Sequence, residues 1–523
     1  MFKNTFQTSG KLRLSTSRNC FRNFEGRWKG KKRWVSTQLE LPRNVLEAEY
    51  AVRGPIPTRA EQLEKSLRSG NRHPFSEIVY FNIGNPQFFG QKPITFFRQV
   101  MSLMELPSMI PIVKNEFPAD VIERAKHYIN LLELPGTGAY TRSQGLCFVL
   151  EDVARFITAR DNLCDPSVRS RDPHAYSLPD NIFLGDGSSC LIRRVLQLLI
   201  NGPSSGIMIP VPQYPLYSAT ISLLGGSQIP YYLDESNNWS LDMNELEKAY
   251  FDASANDVSV KGLVVINPGN PTGQVLTQTN MENIIQFCKL KDLVLIADEV
   301  YQENIYDPVR KPFISFKKVK HLMGTPYQDV KLFSSNSASK GFVGECGRRA
   351  GYIEMDGIPD IARQEYIKLC SIELCPNTMG QILVGLMARP PVEGEESFKQ
   401  YERERDEILN SLSVRANIII SRLRSLEGVT CTKPEGAMYV FPSLTIPARA
   451  IQKAEECNIP PDTLYCQELL EQTGICAVPG SGFKQVPGTH HLRMTFLPPK
   501  EKMLYILDNL LTQFHRRFME KYS

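Results

Sequence analysis

Gly262-Leu-Val-Val-Ile-Asn-Pro-Gly-Asn-Pro-Thr-Gly273 carries a short apolar run straight into a rigid turn. Residues 262–266 have the length and β-branched content of a strand buried on both faces, the habit of parallel sheets. The residues after it are turn formers: two prolines set φ and two glycines admit tight bends, so Asn270 is held in one place. From 279 to 290 the spacing is helical, and Thr279-Asn-Met-Glu282 has the form of a capping box. A second apolar strand, Leu293-Val-Leu-Ile-Ala297, ends on Asp298-Glu-Val-Tyr301. The connection is long enough for a right-handed crossover, so the two strands are expected side by side and parallel.

The same unit stands upstream. Asn181-Ile-Phe-Leu184 reads as a strand and Gly185-Asp-Gly-Ser-Ser189 opens a helix over 191–200. Ile192, Val195, Leu196 and Leu199 share one face of that helix, and Asn201-Gly202-Pro203 stops it. Alternating units of this kind give an α/β fold with a mostly parallel central sheet, whose ligands gather beyond the carboxyl ends of the strands.

Four loops at those ends carry polar residues. Ser188 and Ser189 sit where free N–H groups and a partial positive charge suit a phosphate. Asn270 is fixed by its turn. Asp298 closes an apolar strand, where an unpaired carboxylate would be costly to desolvate. Ser334-Ser-Asn-Ser-Ala-Ser-Lys340 brings a lysine, with Arg348 eight residues beyond. Ser337-Ala-Ser-Lys340 also has the SxxK form of penicillin-binding enzymes, but the KTG element those need does not follow.

The 523 residues are 42% hydrophobic and 22% charged, ordinary globular usage that excludes wholesale disorder. No apolar run approaches the roughly 18 residues of a membrane span, so no membrane partner is expected. The net charge of +4 is uneven: residues 1–37 hold ten Lys or Arg and one acid, leaving −5 on the rest. An acidic body argues against a nucleic-acid partner. The basic segment is rich in hydroxyls and lacks a continuous apolar core, which predicts a mitochondrial transit peptide over 1–36 and a matrix location; a cytosolic form stays open. The twelve cysteines show no CxxC and no zinc spacing, so no metal site is expected. The remaining divisions expected are an N-terminal arm and small-domain segment over 37–90, a large domain over 91–375 and a smaller α+β domain over 376–523. The last has a long helix over 394–422, strand-like pieces at 437–441 and 492–497, and a terminal helix over 500–520.

Taken in order, the four loops resemble those of the fold type I, pyridoxal-phosphate-dependent aminotransferases of the aspartate aminotransferase class. The similarity covers nearly everything after residue 40. Gln213-Tyr-Pro-Leu-Tyr-Ser218, Ala297-Asp-Glu-Val-Tyr-Gln302, Gly344-Glu-Cys-Gly-Arg-Arg349, Gly436-Ala-Met-Tyr439 and Pro479-Gly-Ser-Gly-Phe483 look characteristic of its alanine-using branch. The resemblance implies that Lys340 is joined covalently to the aldehyde of pyridoxal 5'-phosphate and moves the substrate α-proton. It implies Asp298 at the pyridine nitrogen, Asn270 and Tyr301 at the phenolic oxygen, and Tyr214 stacked on the ring. The phosphate falls to Ser188, Ser189, Ser337 and Arg348, with Arg349 as the alternative, and to Tyr140 from a partner subunit of a homodimer. Arg493, Asn270 and the backbone at Gly84 are implied for the substrate α-carboxylate. The reaction so implied is reversible ping-pong transfer of an amino group from L-alanine to 2-oxoglutarate; no residue is assigned to the distal carboxylate of glutamate. The rivals are aminocyclopropane-carboxylate synthases, aminotransferases of broad or aromatic specificity, and a non-catalytic pyridoxal-phosphate-binding regulator.

Overall fold

The computed structural model describes residues 40–132, 136–161 and 176–523. The stretch 1–36 expected as a transit peptide lies outside the described residues.

An eight-stranded sheet runs in the order Ile182–Gly185, Gly351–Asp356, Leu332–Ser337, Val294–Asp298, Ser259–Ile266, Ser205–Val211, Ser227–Asp234, Ser240–Leu241. The five strands from Leu332–Ser337 to Ser227–Asp234 are mutually parallel. Gly351–Asp356 runs antiparallel to both neighbours, and Ser240–Leu241 is antiparallel at the edge. Register decides what meets at the strand ends: Ile266 lies opposite Asp298, Asp298 opposite Ser335, and Ser337 and Gly185 both opposite Gly351. The polar loops therefore emerge together at one edge.

Strands 182–185, 205–211, 294–298 and 332–337 are buried at every residue because helices cover both faces. One face receives helix Ser188–Leu199 through Leu191, Ile192, Val195 and Leu196, beside Tyr366 and Cys370 of Asp360–Ile372. Helix Gln278–Leu290 packs elsewhere in the domain through Met281, Ile284, Ile285 and Cys288. Its cap differs from expectation: Thr277, two residues earlier than the expected Thr279, accepts the Asn280 N–H at 3.2 Å, and Glu282 accepts instead from Gln278 at 2.8 Å. The helix begins one residue before the apolar spacing announces it.

A second core joins the two ends of the chain. Ile56, Ala60 and Leu63 of helix Pro55–Arg68 pack with Leu412, Ile419, Leu469 and Phe514. Strand Val79–Tyr80 pairs parallel with Ile475–Cys476. The passage between cores is not at 375–376, where composition changes. Helix Thr378–Ala388 buries Ile382, Leu383, Val384 and Leu386 in the large core, beside Val100 and Val153. The helix expected over 394–422 spans Phe398–Leu423; its Tyr401 belongs to the first core and its Leu412 to the second. One continuous helix crosses the boundary, so charge content along it could not mark the spot. The terminal helix expected over 500–520 runs from Lys500 to Tyr522 with a π segment at Ile506–Leu511. The ten described cysteines are all free, and no group of three or more metal-ligating side chains occurs among the described residues.

Candidate active site

Helix Ser188–Leu199 starts at Gly187, whose φ is 84°, and no side chain caps it. Its first N–H groups are thus available to an anion. Ser188 Oγ donates to Ser335 Oγ at 3.0 Å. Arg349 reaches across, donating to the Asp186 carbonyl at 3.1 Å and to Ser189 Oγ at 3.2 Å. A Cβ on Gly187, whose φ is 84°, would fall 2.4 Å from the Arg349 guanidinium and push it from this place. Arg348 takes another direction, 4.0 Å from Glu345, which Arg98 already holds through two bonds of 2.8 and 2.9 Å. At this loop the guanidinium beside Gly187 and Ser189 is that of Arg349, not of Arg348, which the eight-residue spacing points to. The chain makes a 3-10 turn over Cys346–Arg348 and enters the left-handed region at Arg349, φ 47°, and that bend sets which guanidinium faces Gly187. Ser337 Oγ donates to the Ala350 carbonyl at 3.2 Å and accepts the Ser339 N–H at 3.1 Å, beside the same loop.

Asp298 ends its strand fully enclosed. Tyr217 donates to Oδ2 at 2.9 Å, while Oδ1 is buried without a partner. Burial pushes the Asp298 pKa up to about 6, against the pull of Tyr217, the Val300 N–H and Lys340. A carboxylate so placed lacks a cation or donor on Oδ1. Tyr214 is capped by Tyr50, their hydroxyls 2.9 Å apart and their rings edge to face at 6.5 Å; burial raises the Tyr214 pKa far above the ordinary phenol.

On the other side, Lys340 Nζ donates to the Gly84 carbonyl at 3.3 Å and stands 5.5 Å from the Tyr301 ring centroid. The Tyr301 hydroxyl accepts from Asn270 Nδ2 at 3.3 Å, and Asn270 Oδ1 accepts from Arg493 at 3.1 Å. Arg493 also donates to the Asn82 carbonyl at 2.6 Å. Its guanidinium is 1% exposed, 4.3 Å from the Tyr439 ring centroid and 4.6 Å from that of Phe483. Among the described residues no carboxylate stands within ion-pair distance of it, and its Nε has no hydrogen-bond partner. A buried cation in that condition is costly unless a ligand completes it, and a planar fork suits a carboxylate.

Lys340, Gly84, Asn270, Tyr301 and Arg493 are thus one connected cluster; Asp298, whose charge acts on Lys340 and Tyr301, adjoins it, and the serines with Arg349 line the neighbouring loop. Tyr140 does not join it: its ring is 74% exposed on a loop of its own. Reading the sequence gave no role to three participants and placed a fourth second. Tyr217 and Tyr439 lie inside stretches singled out as characteristic but received no role. Tyr50 comes from the arm, far from any motif. Arg349 stood second to Arg348. Only chain geometry separates such residues from ordinary core tyrosines and arginines.

The donor set fits pyridoxal phosphate: an uncapped helix start with an arginine for the phosphate, an unpartnered carboxylate oxygen for a ring N–H, and a lysine amine whose charge acts on that carboxylate. Comparison with known proteins agrees. The family model for aminotransferase class I and II matches residues 108–510. A probable mitochondrial alanine aminotransferase of Dictyostelium discoideum is 51% identical over 487 residues, 92% of this chain and 89% of that protein. A glutamate–glyoxylate aminotransferase 2 of Arabidopsis thaliana is 47% identical over 486 residues, 92% of this chain and 96% of its own. In fold, an aminotransferase crystal structure from Escherichia coli superposes with a TM-score of 0.70 at 23% identity, covering 92% of this chain and 99% of that one.

Proposed function

The chain belongs to the aminotransferase class I and II family, and from that premise we propose that it moves the amino group of L-alanine to 2-oxoglutarate, giving pyruvate and L-glutamate. The observation that carries the reading is Arg493: a buried guanidinium without a carboxylate, tied through Asn270 to Tyr301, beside the amine of Lys340. An amino acid gripped there by its α-carboxylate would place its α-carbon near the one amine of the cluster.

Pyridoxal 5'-phosphate is the cofactor in this proposal. Ser188, Ser189, Ser337 and Arg349 would hold its phosphate, with a forked charge-assisted contact from the guanidinium. Asp298 Oδ1 would meet the ring nitrogen, Tyr214 the ring face, and Asn270 with Tyr301 the phenolic oxygen. Lys340 would join the aldehyde. When bound, the ring supplies a sink for the electron pair left by the breaking Cα–H bond. The protein's share is positional and protonic. Arg493 fixes the carboxylate by a planar fork, Asp298 keeps the opposite end protonated, and Lys340 Nζ accepts the α-proton and holds it for return. The second half of the cycle runs the same steps backward with the other oxo acid, hence ping-pong kinetics.

The functional unit in this reading is a homodimer, in which the exposed Tyr140 reaches the partner subunit's phosphate. The location is mitochondrial, carried by residues 1–36 and supported by the mitochondrial name of the Dictyostelium relative. The test is a steady-state assay of purified protein with alanine and 2-oxoglutarate. Formation of pyruvate and glutamate in equal amounts is expected. The decisive comparison is with glyoxylate as acceptor and with aromatic and branched amino acids as donors; a preference for any of these would replace the alanine assignment.

A further inference from the structure

Tyr439 stands between the two cations of the substrate side. Its hydroxyl lies over Gly84: a Cβ built there would meet that oxygen at 2.0 Å and Lys340 Nζ at 3.2 Å, so phenol and amine share one face of this glycine. Its ring covers the Arg493 guanidinium at 4.3 Å and meets Tyr301 edge to face at 6.1 Å. Strand pairing holds it there, Tyr439 opposite Thr495 and Val440 opposite Met494, so the position is set by backbone and not by a mobile loop. The ring is 3% exposed.

We propose that Tyr439 is a further catalytic residue, whose hydroxyl exchanges a proton with the Lys340 amine and does so in answer to the carboxylate that occupies Arg493. The groups facing the phenol are Lys340, Arg493, Tyr301, Tyr214 and Cys346. Burial alone would raise its pKa, but Lys340 and Arg493, with a hydrogen bond from Tyr301, bring it below the ordinary phenol value. Tyr301, without a cation of its own on the hydroxyl, is pushed the other way by burial and by Tyr439. A substrate carboxylate on Arg493 neutralises one of the two charges that favour the phenolate. The phenolate then takes a proton from Lys340 once that residue is free of cofactor. The O–H bond of Tyr439 forms, an N–H bond of the ammonium breaks, and the electron pair stays on nitrogen. Lys340 is left neutral, the state in which it can accept the α-proton.

This rests on the transamination reading, and the experiment separates the two. In the holoenzyme, Tyr439→Phe should lower kcat about 10²-fold in both half-reactions, the low end of general acid–base effects, while KM for alanine changes less than threefold. The full-length chain without added cofactor, titrated by absorbance at 295 nm, should show a phenol ionising below the usual value of about 10 that Tyr439→Phe lacks. Saturating alanine should move that ionisation upward. A kcat within twofold of the parent, or an early-titrating phenol that survives in the variant, overturns the proposal. A parent protein that makes no pyruvate from alanine overturns the transamination reading instead, and the titration still decides Tyr439.

Discussion

The two halves of the site are assembled by different means. The cofactor half, from Gly185 to Arg349, hangs on the ends of one sheet, and the register Ile266–Asp298–Ser335 places its loops by backbone hydrogen bonds. The substrate half takes Asn82 and Gly84 from one end of the chain and Tyr439, Phe483 and Arg493 from the other. It is joined by short pairings, Val79–Tyr80 on Ile475–Cys476 and the Thr495 N–H on the Phe81 carbonyl at 2.9 Å. The difference teaches where each function can fail separately. In the proposed reading, cofactor affinity answers to the sheet and grip on the amino acid to the second core. Lys340 and Asn270 belong to both: Lys340 is rooted beyond strand Leu332–Ser337 and bonded to Gly84, and Asn270 follows strand Ser259–Ile266 and accepts from Arg493.

That division can be broken most severely at Lys340. Lys340→Ala should lower kcat at least about 10³-fold, within the range of acid–base contributions, while cofactor is still retained through the phosphate contacts; near-normal turnover would end the scheme. Next comes Asp298→Asn, read as stability without cofactor. The folded carboxyl, at about 6, lies above its unfolded value near 3.9, so the folded state binds the extra proton between those values and stability falls as pH rises from about 4 to 6. Removing the charge should make the cofactor-free variant more stable at pH 7.5 by about 3 kcal/mol, two pKa units at 1.36 kcal/mol each, with the gain vanishing towards pH 4. Thermal melts across that range measure it, and turnover of the variant should drop although the fold is firmer.

Arg493→Ala sharpens the contrast from the substrate half. Loss of charge-assisted bonds of about 1.5–3 kcal/mol should cut kcat/KM for alanine roughly 10- to 100-fold and leave the cofactor Kd within about threefold. Arg349→Ala should do the reverse, weakening cofactor about tenfold with a small change in KM for alanine. Arg348→Ala should be nearly silent in both, and a larger effect at 348 than at 349 would undo the assignment made from geometry. Equilibrium dialysis for cofactor beside steady-state kinetics distinguishes all three.

Much of the cofactor half was legible because its residues sit in short motifs directly after apolar strands. Asn270, Asp298 and Tyr301 each follow a run whose burial could be read from composition alone, whereas Lys340 follows the polar Ser334-Ser-Asn-Ser-Ala-Ser339, whose burial composition does not announce. Arg493 was reached through resemblance and its contacts to Asn82 and Asn270 only through the structure. Tyr439 was visible as part of a stretch and invisible as a participant, since nothing in Gly436-Ala-Met-Tyr439 says that its hydroxyl crosses Gly84.

Local order along the chain therefore determined the sheet, its crossovers and the polar turns at its edge, because periodicity and turn chemistry act over neighbouring residues. Tertiary structure decided which arginine faces Gly187, where one core gives way to the other inside helix Phe398–Leu423, and which tyrosines meet the two cations. Those outcomes depend on a left-handed residue at 349 and on pairing between segments some 400 positions apart. Contacts of that kind are chosen by the lowest free energy of the whole packed chain, and no window of sequence contains them.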